Sequence, residues 1–244
     1  MNFEKVKDIL DGIPHTPAED AKILYDLCLN ENINSVLELG FQHGVSTCYM
    51  ASAFNTKGSG KITTIDREIN KTEKPSIYEL MEKTGTKERV EVVFARETYV
   101  YELKKIIEAN SKGNVCHPKY DFIFIDGAHN WETDGFAFFL ADKLLKPGGW
   151  ILFDDMNWTY ESSPTLKETD LVKSMTKEEK SEAQVQKVFD LLVKQHPNYS
   201  DFIVKGRWGW AKKKAQVEVL SKDEILELYK GRSFKSKVKD FLKR

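Results

Sequence analysis

The stretch that decides the fold runs from residue 120 to residue 158. It reads Tyr-Asp-Phe-Ile-Phe-Ile-Asp-Gly-Ala-His over residues 120–129, then a helical interval, then Leu-Lys-Pro-Gly-Gly over 145–149 and Trp-Ile-Leu-Phe-Asp-Asp-Met-Asn-Trp over 150–158. The apolar runs 122–125 and 150–153 are too short for helices and rich in β-branched and aromatic residues. Each stops at a carboxylate, Asp126 or the Asp154–Asp155 pair. Between them Phe136, Phe139, Leu140 and Leu144 recur at helical spacing, and Pro147-Gly148-Gly149 is expected to end that helix. A strand–helix–strand unit predicts parallel neighbours joined by a right-handed crossover. Such strands lie about 4.8 Å apart, so three carboxylates, with His129 one turn on, should crowd one rim. Like charges that close repel unless protonated or bridged by a cation, which points to a metal.

Upstream, Ser-Val-Leu-Glu-Leu-Gly-Phe-Gln-His-Gly-Val-Ser over residues 35–46 predicts a strand over 36–39 that breaks at Gly40, and a helix that begins near Gly44. The glycines let backbone N–H groups approach a ligand at a helix N-terminus, where the dipole favours negative charge. The spacing is Gly-x-x-x-Gly after Glu38, not the Gly-x-Gly-x-x-Gly of dinucleotide enzymes. A second strand over 61–66 ends in Asp66, where a Rossmann-like sheet places a carboxylate against two ribose hydroxyls. A helix over 76–84 stopped by Gly85, a strand over 89–94, a helix over 98–108 and a loop over 111–118 lead into the central unit.

The flanks read more simply. Residues 1–30 predict two helices, the second with Thr16 as N-cap, Pro17 at its first position and Ala21, Leu24 and Cys28 on its apolar face. The polar segment after Trp158 is a candidate substrate lid over 156–182. Val185, Val188, Phe189 and Leu192 then mark a helix that Pro197 ends, and residues 201–211 predict a closing hairpin turned by Gly206 and Gly209. Phe234, Val238, Phe241 and Leu242 give residues 221–244 an amphipathic helical pattern interrupted at Gly231.

The 244 residues suffice for one α/β domain with appendages, and a net charge of -1 gives no global pull toward nucleic acid or membrane. There is no signal-like h-region at the N-terminus and no apolar run of membrane-spanning length. Cys28, Cys48 and Cys116 form no C-x-x-C pair and read as reduced. A soluble cytoplasmic protein is expected.

The order of these pieces resembles the class I S-adenosylmethionine-dependent methyltransferases over residues 35–212. More narrowly it is similar to the metal-dependent O-methyltransferases of the catechol and caffeoyl-CoA type, and to macrolide-sugar methyltransferases with their cephalosporin-hydroxylase-like relatives. Val-Leu-Glu-Leu-Gly-x-x-x-Gly-x-Ser resembles the first motif of that family. The resemblance implies that Glu38, the backbone of Gly40, Phe41 and Gly44, and Ser46 hold the methionine end of S-adenosylmethionine, with Asp66 on the ribose. Phe-Ile-Asp-Gly-Ala-His over 124–129 resembles the strand-four motif, in which His129 stands where catechol-type enzymes carry a catalytic lysine. Leu-Lys-Pro-Gly-Gly-x-Ile-Leu-Phe-Asp-Asp over 145–155 resembles strand five, which implies that Asp126, Asp154 and Asp155 bind Mg²⁺. Where relatives show Gly-Asp-Ala or Gly-Asp-Ser, this chain has Ala95-Arg96-Glu97, so no adenine contact is carried over.

The expected fold is a Rossmann-like, doubly wound, seven-stranded and mostly parallel sheet with its last strand antiparallel. A helical cap over 1–34 precedes the catalytic domain over 35–212, and a helical extension over 213–244 follows it. The expected function is metal-assisted methyl transfer to a hydroxyl of a small molecule, a sugar or natural product, with Asp126 and His129 as catalytic residues. Neither nucleic acid nor membrane is an expected partner; the oligomeric state stays open, a homo-oligomer being possible since relatives are often dimers or larger. The alternatives are a cephalosporin-hydroxylase-like or metal-independent relative, a nicotinamide-dependent dehydrogenase, and a non-catalytic cofactor-binding protein.

Overall fold

Seven strands pair in the order β3-β2-β1-β6-β7-β9-β8. They are β1 (Ser35–Leu39), β2 (Lys61–Arg67), β3 (Val90–Ala95), β6 (Tyr120–Ile125), β7 (Leu145–Phe153), β8 (Tyr199–Lys205) and β9 (Trp208–Lys213), while β4 (Ser111–Lys112) and β5 (Val115–Cys116) form a separate short ribbon. The first five strands of the order pair in parallel, and β9 runs antiparallel to both of its neighbours. The computed structural model describes residues 1–30 and 32–215. The amphipathic pattern expected over 221–244 lies outside the described residues, as does most of the expected extension over 213–244.

Alternation along the strands builds two cores, because successive side chains of a strand face opposite sides of the sheet. Val36, Ile62, Phe122, Phe124 and Leu152 face α1 (Phe3–Leu10), α2 (Ala18–Asn30), α3 (Val45–Lys57) and α4 (Ile77–Thr84). Leu37, Leu39, Ile65, Ile123, Ile125, Ile151 and Phe153 face α5 (Tyr99–Ala109), α6 (Trp131–Leu144) and α9 (Gln184–Lys187), which continues as a π-helical turn over Val188–Val193. The two short helices α7 (Asp170–Ser174) and α8 (Lys177–Ser181) lie in the segment after β7. No helix among the described residues is long and apolar enough to cross a membrane. All three cysteines are free.

Local chemistry explains the boundaries. Ser76 caps α4 in a capping box with Glu79, whose carboxyl the Ser76 N–H and hydroxyl hold down at about 2. Gly85 ends the same helix in the left-handed conformation. Four expectations need correction. Pro147-Gly148-Gly149 lies inside β7, past the end of α6 at Leu144, and Gly209 lies in β9, so the hairpin turn is formed by Gly206 and Arg207. The loop expected over 111–118 contains the β4–β5 ribbon. The face of α6 also differs: Phe136 and Phe139 are exposed, and the helix buries Asp134, Ala137, Phe138 and Ala141 together with the expected Leu144. The run from Phe136 to Leu140 is apolar all round, so spacing alone does not select a stripe; small Ala137 and Ala141 let the helix approach the sheet.

Candidate active site

The strand order puts the ends of β1 and β6 side by side, with Leu39 registered opposite Ile125. The Gly40 loop therefore lies against the segment that starts at Asp126. Gly40 has φ +93, and a Cβ there would collide with the Asp126 carbonyl, so only glycine permits the approach. Gly44, also at positive φ, caps α3, which runs to Lys57. Its N-terminus presents orphan amide donors that suit a carboxylate.

Beneath this loop Glu38 is fully buried and accepts hydrogen bonds from Ser46 Oγ at 2.5 Å, from Thr64 Oγ1 at 2.6 Å and from Thr47 Oγ1. Burial raises its pKa, against the pull of those three hydroxyls. Glu38 and Ser46 thus brace β1, β2 and α3 from below. Asp66, 8% exposed at the end of β2, accepts the backbone N–H of Phe41 at 2.9 Å and of Gln42 at 2.6 Å on Oδ2. It shapes the loop; Oδ1 accepts the Arg67 N–H at 2.7 Å, which leaves one acceptor site on that oxygen for a hydroxyl donor. Beside it the Phe41 ring meets Phe94 edge-on, centroids 5.4 Å apart. Arg96 and Glu97 are largely exposed and pair with each other at 3.4 Å.

On the other half of the rim, Asp126, His129 and Asp155 offer ligand atoms that all lie within 4.8 Å of one another. Octahedral coordination at about 2.1 Å puts ligand atoms roughly 3.0–4.2 Å apart. Those three side chains are near enough to converge on one cation once they close in on it. Asp154 is held differently. It is 4% exposed, and Arg207 grips it with Nε to Oδ1 at 2.5 Å and Nη2 to Oδ2 at 2.7 Å. So the structure brings together Asp126, Asp155 and His129, and turns Asp154 toward an arginine. Burial, followed by the charges of Asp154 and Asp155, holds the partly exposed Asp126 well above the usual carboxylate range.

Two rim residues carry backbone strain. His129 has φ +53 and Asp155 φ +55, both left-handed and neither glycine. His129 Nε2 lies 3.6 Å from Asp155 Oδ2. Its ring packs on Trp158 at 5.4 Å, and Trp158 meets Tyr160 edge-on at 4.8 Å, so the start of the segment after β7 folds over the histidine. Support comes from below as well: Tyr99 hydroxyl donates to buried Asp134, accepts the Ala128 N–H at 3.2 Å, and packs under Gly127. His15, at φ +88, stacks on His43 with centroids 5.9 Å apart, which brings the loop before α2 over the cofactor loop. Burial, then His43, lowers its pKa.

Two clefts flank the rim. One of about 480 Å³ is lined by Asn130, Trp131, Glu132, Tyr160 and Met175; the other, about 450 Å³, by Trp150, Trp208, Trp210, Ile23 and Arg207. The sequence reading did not single out Arg207, Tyr99, Asp134, His15 or Trp158. Only Arg207 had a local signal, a cation that with Lys205 flanks the turn glycine Gly206 in a hairpin that closes onto the acidic rim.

Residues 37–156, which span β1 to the end of the acidic rim, match the sequence model of a family described as methyltransferase domain. Over those residues the chain resembles a methyltransferase domain. Solved methyltransferases share its fold. The O-methyltransferase TomG of Streptomyces achromogenes, involved in tomaymycin synthesis and solved with SAM, is 19% identical with a TM-score of 0.57, covering 87% of each chain. The O-methyltransferase of Bacillus cereus, solved with SAH, is 22% identical with a TM-score of 0.56, covering 87% of this chain and 90% of that one. The methyltransferase PaMTH1 of Podospora anserina, bound to SAH, is 17% identical with a TM-score of 0.61, covering 86% of each. No curated protein matches the chain. At these identities the likeness to the solved methyltransferases is one of fold.

Proposed function

We propose that the domain transfers the methyl group of S-adenosylmethionine to a hydroxyl oxygen of a small molecule, with a divalent cation such as Mg²⁺ at the rim. One observation carries this reading: the Gly40 loop and the Asp126–His129–Asp155 group share one edge of the sheet, with Gly40 in contact with Asp126. In this proposal the amides of the Gly40–Gly44 loop, Phe41 included, and the first turn of α3 at Ser46 receive the methionine carboxylate. Asp66 accepts from a ribose hydroxyl, and Glu38 holds the loop in shape from below.

The S–CH₃ bond breaks with its electron pair left on sulfur, an O–CH₃ bond forms, and the hydroxyl proton leaves. This is an in-line displacement, so the protein's main task is positioning. His129 is the proton acceptor; an imidazole at this place on the rim suits general base work. Trp158 closes over it and limits water. A cation held by Asp126 and Asp155, with Asp154 as a candidate third ligand, would lower the pKa of the acceptor hydroxyl. The two flanking clefts offer room for the body of the acceptor, a sugar or natural product in size.

The test is transfer of labelled methyl to a panel of hydroxyl compounds, with and without Mg²⁺. His129→Ala should slow transfer by about 10²–10⁴ and leave S-adenosylmethionine affinity intact. Labelling of amines alone, or full activity in the His129→Ala variant, overturns the hydroxyl reading.

A further inference from the structure

Three carboxylates meet at the rim, and a cation of the chain already sits among them. Arg207, in the turn between β8 and β9, engages both oxygens of Asp154 and places Nη2 3.1 Å from Asp155 Oδ1. The Asp155 backbone N–H is a further donor to Asp154 Oδ1, at 2.6 Å. Both lone pairs of Oδ1 are thus occupied, while Oδ2 keeps one. A divalent ion on that remaining lone pair would face the guanidinium, positive against positive.

The arginine is also fixed from behind. Its carbonyl accepts the Met156 N–H at 2.9 Å, and Asn157 Nδ2 donates to the Gly206 carbonyl at 3.1 Å. Phe153 is registered opposite Gly209, which locks the hairpin to the end of β7. Withdrawing Arg207 from Asp154 therefore means breaking a bidentate pair or unpicking the turn. Asp126, His129 and Asp155, by contrast, keep their facing atoms within 4.8 Å of one another.

We propose that Arg207 is a positioning residue and the resident counter-ion of the rim. It keeps Asp154 out of the cation site and leaves Asp126 and Asp155 as the carboxylates that take a divalent ion, with His129 beside them free to accept the proton. The inference rests on the divalent-cation reading above and narrows its ligand set. A site of two carboxylate ligands leaves the remaining octahedral positions to water or acceptor oxygens.

The experiment uses Mn²⁺ alone as the probe, with its binding to the full chain read by electron paramagnetic resonance. Asp154→Asn should bind Mn²⁺ within about threefold of the wild type, whereas Asp155→Asn should lose at least about tenfold. Arg207→Ala frees a carboxylate and should tighten binding at least about tenfold; Arg207→Gln, which keeps bulk and donors in the turn, covers the case in which the alanine variant misfolds. Equal losses in Asp154→Asn and Asp155→Asn overturn the proposal. So does unchanged affinity in folded Arg207 variants, or no binding by any of these proteins. Methyl transfer is not the readout, so failure of the hydroxyl reading in the labelled-methyl assay is scored separately.

Discussion

Replacing Asp126 by Asn should stabilise the cation-free protein at neutral pH. The carboxyl of Asp126 shares the rim with that of Asp155, their nearest ligand atoms within 4.8 Å. At an effective dielectric constant near 20, two such charges repel by at least roughly 3 kcal/mol. Arg207, 3.1 Å from Asp155 Oδ1, offsets part of this and leaves about 1–2 kcal/mol for the isosteric substitution to recover. In a chain of this length that corresponds to a rise in Tm of about 2–8 °C. The sign follows from the direction of the shift. Burial, then Asp154 and Asp155, raises the folded pKa of Asp126 above its unfolded value. The native state therefore binds this proton more readily, so its stability contribution is present at low pH and lost as pH rises through the folded pKa. The advantage of Asp126→Asn should be greatest at pH 7–8 and should vanish near pH 4. Calorimetric melts of both proteins in excess chelator, at both pH values, read this directly. A variant that melts at or below the wild type at pH 7, or whose advantage is the same at pH 4, refutes the electrostatic account of the rim.

Other substitutions probe the support of the site. Tyr99→Phe leaves buried Asp134 without its hydroxyl donor and should cost about 1–3 kcal/mol in urea unfolding; an unchanged midpoint would show that the Tyr99–Asp134 link contributes nothing. Gly40→Ala places a methyl group against the Asp126 carbonyl at a left-handed φ and should cost more than about 1 kcal/mol as well as weaken S-adenosylmethionine binding; wild-type stability would contradict the close approach of β1 to β6.

Much of the frame is legible in the sequence because its signals are local. Short apolar runs that stop at Asp66, Asp126 and Asp154 mark strand ends, and Ser76, Glu79 and Gly85 mark both ends of α4. The strand-helix-strand logic places β6 beside β7, and the resemblance to class I methyltransferases anticipates β1 beside β6. What was not legible depends on contacts distant along the chain. Asp154 and Asp155 are neighbours of one residue type, yet Asp155, with its left-handed backbone, faces His129 and touches Arg207 at one oxygen, while Asp154 takes the bidentate grip of Arg207, fifty-three residues away. The Tyr99–Asp134 link spans thirty-five residues, and His15 reaches His43 from the N-terminal segment. In α6 the failure has another cause, since a helix apolar on all sides carries no stripe to read.

The central claim is that the Gly40–Gly44 loop and Asp66 bind S-adenosylmethionine beside a chemically separate rim. Calorimetric titration of S-adenosylmethionine into the wild type, Asp66→Ala and Asp126→Asn, each checked for folding by circular dichroism, tests it most directly. Asp66→Ala should lose about 2–3 kcal/mol of binding, since a charge-assisted hydrogen bond to the ribose and support of the Phe41–Gln42 turn are both removed. Asp126→Asn should bind as the wild type does. Unchanged affinity in a folded Asp66→Ala variant, or binding of a nicotinamide dinucleotide in place of S-adenosylmethionine, would contradict the account.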